Sequence, residues 1–75
     1  MAELPRISGQ EALRAFEKAG WSYVCRRGSH MIMIKSATPV NLSIPDHKEL
    51  DRGTLRKLIR LSGLTVEEFV DLLDR

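Results

Sequence analysis

Apolar residues recur at two different periods along this chain, and the switches between them divide it into six short elements. Leu13, Phe16 and Ala19 follow one another at helical spacing, with Ala12 beside them. Ser8 and Glu11 stand just ahead, the pattern of a capping box in which Ser8 caps and Glu11 reaches back. Gly20 supplies the stop, so the spacing predicts a helix over 9–19. The period then drops to two. Trp21, Tyr23 and Cys25 alternate with Ser22, Val24 and Arg26, which predicts a strand. Gly28 turns the chain. Residues 30–35 are apolar on both faces and read as the central strand. His30, Ile32 and Ile34 share one of its faces; Met31, Met33 and Lys35 share the other.

Ala37-Thr38-Pro39 reads as a loop. Val40, Leu42 and Ile44 alternate with Asn41 and Ser43, predicting a third strand with one wet face. Pro45 ends it, since proline cannot donate a ladder hydrogen bond. Asp51 fits a cap for a helix over 52–62, with Leu55, Leu58, Ile59 and Ser62 inward and Gly63 as its stop. Thr65-Val66-Glu67-Glu68 is a second capping box. It opens a helix over 66–74 that buries Val66, Phe69, Val70 and Leu73. Short links between the strands imply an antiparallel meander. The fold class is therefore α+β, in the order α-β-β-β-α-α: a three-stranded antiparallel sheet with helices on one face and the other face open.

A chain of 75 residues makes one domain, spanning 1–75. No apolar run is long enough to cross a bilayer, and the first six residues carry no signal-peptide pattern. A single cysteine, Cys25, fits a reducing compartment. A cytoplasmic protein is the expectation. The net charge of +2 hides an asymmetry. Residues 1–66 carry 11 Lys and Arg against 6 Asp and Glu, whereas residues 67–75 carry one against four. That suits a polyanion face with a separate acidic surface, or an unevenly charged solvated surface.

The chemistry concentrates at Gly28-Ser29-His30. A tight turn sets a histidine at the mouth of the apolar central strand, and histidine titrates near the working pH. Between Glu17 and Asp46 the chain carries Lys18, Arg26, Arg27 and Lys35 and no acid. A base in a basic neighbourhood suits a negatively charged substrate. His30 reads as a general base, or as a surface histidine on a β-turn. His47, after Pro45-Asp46, reads as an auxiliary acid/base or phosphate donor, or as a turn residue. The spacing of Cys25, His30, Asp46 and His47 matches none of the usual zinc patterns, so no metal and no cofactor is expected. Arg52, Arg56 and Arg60 form a basic stripe with Lys57 adjacent, either a phosphate holder or the wet face of an amphipathic helix. Trp21 and Tyr23 are candidates for base stacking or for core packing.

Taken in order, these segments resemble the HicA family, small toxins of bacterial toxin–antitoxin pairs that act as mRNA interferases. The likeness runs over residues 8–73. It rests on Ser8-Gly9, Gly20-Trp21, Arg26-Arg27-Gly28-Ser29-His30 and Ile44-Pro45-Asp46-His47. It continues through Gly53-Thr54-Leu55-Arg56-Lys57-Leu58-Ile59 and Ser62-Gly63-Leu64-Thr65-Val66-Glu67-Glu68-Phe69. Family members often carry Phe where this chain has Trp21, and a second His where it has Met31. The resemblance implies a fold like a double-stranded-RNA-binding domain and a metal-independent endoribonuclease with His30 as its catalytic residue. Gly28, Ser29, Arg26, Arg27 and Lys35 would bind the RNA. It also implies a HicB-type antitoxin partner that covers the site, with DNA reached only through that antitoxin. The rival expectations are a non-catalytic double-stranded-RNA-binding module and a pure protein-interaction domain.

Overall fold

A computed structural model describes residues 3–73; Met1, Ala2, Asp74 and Arg75 lie outside the described residues. The elements come in the expected order: α1 (Gly9–Lys18), β1 (Ser22–Arg27), β2 (His30–Ile34), β3 (Leu42–Pro45), α2 (Arg52–Ser62) and α3 (Val66–Leu72). The strands form one antiparallel sheet in the order β1-β2-β3. Both capping boxes are present. The Ser8 Oγ accepts from the Glu11 N–H at 3.1 Å, and the Glu11 carboxylate accepts from the Ser8 N–H at 2.9 Å. Thr65 and Glu68 repeat the exchange at the start of α3. The Asp51 carboxylate caps α2, and Gly63 closes it.

Burial follows the alternation. Met31, Met33, Leu42 and Ile44 point to one side of the sheet and are buried, with Phe16, Leu55 and Phe69 over them. The Phe16 and Phe69 rings meet at a centroid distance of 4.9 Å and a 45° tilt, so α1 and α3 lock across the core. His30 and Ile34, on the other side, are exposed, and Ile32 is half-buried. No described helix is long and apolar enough to cross a membrane.

Three expectations shift. The third strand starts at Leu42 rather than Val40, which packs against the core as a half-buried loop residue just after Pro39. Pro45 still belongs to β3, where it stands opposite His30. The last helix stops at Leu72, because Leu73 turns to an extended conformation; position 74 lies outside the described residues. Phe69 is its one fully buried side chain, with Val66, Leu72 and Leu73 packed partly against the core.

One close approach in the fold is between backbones. Gly9, the first residue of α1, lies against the Pro45 carbonyl, and a Cβ there would collide with the Pro45 oxygen. The Gly9 N–H donates to the His47 carbonyl at 2.9 Å, and the Leu50 N–H donates to the Ile7 carbonyl at 2.8 Å. Gly9→Ala forces these two segments apart. The expected cost is about 1–3 kcal/mol, the usual range for overpacking. It is read as a lower urea midpoint at unchanged slope. An unchanged midpoint would show that the contact yields without cost.

Candidate functional site

His30 closes a two-residue hairpin. Arg27 and His30 face each other across the Gly28-Ser29 turn. Gly28 has φ +58, with open space where a Cβ would stand, and Ser29 does not share the positive φ. That is the φ pattern of a type II′ turn, which wants glycine first. Two further hydrogen bonds fix it. The Arg26 Nε donates to the Gly28 carbonyl at 3.2 Å, and the Asp46 N–H donates to the Ser29 carbonyl at 2.7 Å. Ser29 thus holds the turn through its backbone.

A β-bulge decides what stands beside the histidine. Tyr23 pairs with Met33 and Cys25 with Ile32, leaving Val24 unpaired between them. Cys25, expected on the same face as Trp21 and Tyr23, is carried to the open face. Arg26 falls opposite Met31 on the helix side, and Arg27 falls opposite His30 on the open side. One row across the open face therefore reads Arg27, His30, Pro45.

The basic neighbourhood read from the chain is not free of acid in space. The Arg26 guanidinium pairs with the Asp46 carboxylate at 2.9 Å, and Gln10 Nε2 donates to the same carboxylate at 3.1 Å. Arg26 first, then Gln10, holds the Asp46 carboxyl below its ordinary 3.8. Lys35 stands at the other end of β2. It lies five positions along the chain from His30, roughly 16 Å in extended backbone. Its ammonium lies 6.0 Å from the Trp21 ring centroid, and Trp21 is a core residue. His47 is exposed and offers its carbonyl to Gly9. Of the four flanking groups, Arg27 alone shares the open-face row with His30.

A cleft of about 370 Å³ opens beside His30. Asn41, Ser43 and Pro45 line it from the β3 side, and Thr54, Lys57, Leu58 and Leu61 line it from α2. The four α2 residues fall at i, i+3, i+4 and i+7, one stripe of the helix. Leu55, Leu58, Ile59 and Ser62 form the buried stripe next to it. Arg52, Arg56 and Arg60 are turned away from the cleft stripe, by roughly 170°, 150° and 110° at 100° per residue. The arginine stripe points into solvent, and Lys57 is the basic residue that α2 turns toward His30. The spacing of Thr54, Lys57, Leu58 and Leu61 is visible in the chain; what that stripe faces is not. Among the described residues no group of three His, Cys, Asp or Glu side chains is placed to hold a metal ion.

A family profile described as HicA toxin of bacterial toxin–antitoxin matches residues 9–64, about three-quarters of the chain. The chain belongs to the HicA toxin family. The match opens at the first residue of α1 and ends just past Gly63, so it takes in the hairpin, the sheet and the cleft; α3 lies beyond it. As a HicA toxin the chain is one half of a toxin–antitoxin pair, and its partner is an antitoxin. No curated protein matches this HicA chain.

The Asp46 carboxylate ties β1 to α1, and its pH dependence has a fixed sign. A carboxyl held below its ordinary pKa stabilises the fold above that value and loses the contribution as pH falls through the folded pKa. Asp46→Asn removes the charge. The stability gap between parent and variant is therefore largest at neutral pH and shrinks as pH falls below 3.8. Urea midpoints at neutral and acid pH measure it. A gap that widened on acidification would contradict the Arg26–Asp46–Gln10 arrangement.

Proposed function

We propose that this HicA toxin is a metal-independent endoribonuclease that cleaves mRNA, with His30 as general base. The observation that carries the reading is the placement of His30. It is exposed, held at the closing pair of a braced hairpin, and faces a cleft whose lining residues include no acid. A polyanion meets no repulsion there, and a base fixed by sheet and turn is preorganised for a proton transfer. The imidazole takes the proton of a ribose 2′-OH, whose oxygen attacks the adjoining phosphorus. The bond to the 5′-oxygen breaks, leaving a 2′,3′-cyclic phosphate and a 5′-OH. The nucleophile comes from the RNA itself, so the reaction needs no metal-activated water. Arg27, next to His30 on the open face, meets the phosphate backbone. Gly28 and Ser29 set the turn against which the RNA lies. Arg26 acts on the turn rather than on the substrate, and Lys35 supports Trp21. His47 is an auxiliary proton donor only if the RNA bends past Pro45.

The antitoxin is of the HicB type and blocks the site by covering the hairpin, and the pair acts in the cytoplasm. An interface of ordinary size takes about 800 Å² from each partner, against a whole surface of 4960 Å². A patch of that share reaches both His30 and Arg27. In the complex, the amides of residues 26–34 should exchange more slowly and RNA binding should be lost. A complex that leaves those amides unprotected and still binds RNA would refute occlusion.

The central test is incubation of the purified toxin with a defined RNA in EDTA, followed by end-group analysis. Cleavage with 2′,3′-cyclic phosphate and 5′-OH ends is the expected result. His30→Ala should lower the rate about a hundred- to ten-thousand-fold with the fold retained, since His30 is exposed. Arg27→Gln should weaken RNA binding and flatten its salt dependence, whereas Lys35→Gln should leave both close to the parent. A folded His30→Ala protein that cleaves undiminished overturns the mechanism. A parent that binds the RNA and leaves it whole is a non-catalytic module.

A further inference from the structure

The geometry points to Lys57 as a second catalytic residue, the cation that meets the scissile phosphate of one unpaired ribonucleotide held in the cleft beside His30. This rests on the ribonuclease reading and adds to it a substrate geometry and a source of charge stabilisation.

Three observations converge. His30 and Lys57 line one cleft from two different elements, β2 and α2. No acid lines that cleft, and Lys57 forms no ion pair with another described residue. Its ammonium is therefore free to meet an anion. The cleft walls are mixed. Leu58 and Leu61 offer apolar surface, and Leu61 is 37% exposed. Asn41 and Ser43, across from them, offer an amide and a hydroxyl that can reach the edge of a base. A volume of about 370 Å³ lies at the small end of ligand sites, on the order of 300–1,000 Å³. It suits one nucleoside rather than a helix.

The chemistry asks for such an occupant. Attack of a 2′-oxygen on its own phosphate requires the leaving 5′-oxygen to stand opposite, which a stacked, paired A-form strand does not allow. A nucleotide drawn into the cleft is freed from that constraint. His30 takes the 2′-proton as the O2′–P bond forms. Lys57 stays protonated and balances the negative charge that grows on the non-bridging oxygens, the role of an oxyanion-stabilising group. The P–O5′ bond breaks with its electron pair on O5′, which takes a proton from water. The imidazolium returns its proton to the resulting hydroxide, so no net proton is gained or lost.

The test uses the full-length toxin and a short single-stranded RNA cut at one site, with an analogue carrying 2′-deoxyribose there as an uncleavable probe. Lys57→Gln should lower the single-turnover rate about a hundredfold or more while changing the affinity for the probe less than about threefold, well under the tenfold that 1.4 kcal/mol represents. Lys57→Arg should restore much of the rate. Arg56→Gln, on the far side of α2, should cleave like the parent. Annealing the RNA to its complement should suppress cleavage. A Lys57→Gln protein that cleaves at close to the parental rate overturns the proposal, as does one whose loss of rate matches its loss of probe binding, or a duplex cut as fast as the single strand. Failure of the underlying reading looks different: there His30→Ala cleaves as well as the parent, or the parent does not cleave at all. Lys57 is exposed, and thermal melts of each variant confirm that a lost rate is not a lost fold.

Discussion

The backbone of α1 meets the backbone of β3 at Gly9 and Pro45 with no side chain between them, and the site depends on that approach. It brings the segment after β3 under the start of the first helix, where the Gly9 N–H takes the His47 carbonyl. Asp46 is thereby fixed between Gln10, Arg26 and the Ser29 carbonyl. The Arg26–Asp46 pair is half in solvent on the arginine side, and exposed pairs of this kind add little to stability. Its contribution is positional. Two segments distant in the chain share one carboxylate, and the N–H of the same residue braces the turn that presents His30. The same segment leads into Asp51, the cap of α2, so the path of the chain also sets where the far wall of the cleft stands.

This economy suits a small protein. A domain of 75 residues has little core to spare, and its one buried face is filled by α1, α3 and the inner side of α2. What remains for function is the open side of the sheet and the outer stripe of α2. The cleft forms where these meet, from groups the core does not use. Its two ionisable members, His30 and Lys57, come from elements joined only through β3 and the cap at Asp51. The pairing of base and cation is therefore a property of the docked fold and of neither element alone.

Much of this was legible in the chain. Element order, both capping boxes, the stops at Gly20 and Gly63, the division of β2 into two faces and the placing of His30 all follow from local rules of periodicity and capping, and the structure agrees with them; which face of β2 is buried did not, since the strand is apolar on both. What escaped was non-local. Asp46 lies 20 positions from Arg26 and reads as a turn residue until the fold brings the two together. Lys35 looks like a neighbour of His30 in the sequence, yet strand geometry carries it to the far end of β2 and onto Trp21. Lys57 looks like part of the arginine stripe, although the helical period sets it at the stripe's edge, on the side toward the cleft. The bulge at Val24 has no local signature, since nothing about a valine in an alternating strand announces an extra residue.

That extra residue reconciles two demands that a regular strand could not meet together. Trp21 and Arg27 are six positions apart, an even number, so unbroken alternation would send both to the same side of the sheet. Trp21 is 2% exposed and belongs to the core, while Arg27 stands with His30 on the open face. The bulge shifts the phase of the strand by one between them. The length of β1 therefore behaves like a reading frame. Removing one residue between 22 and 26 would force the strand to choose which of its two ends keeps its place.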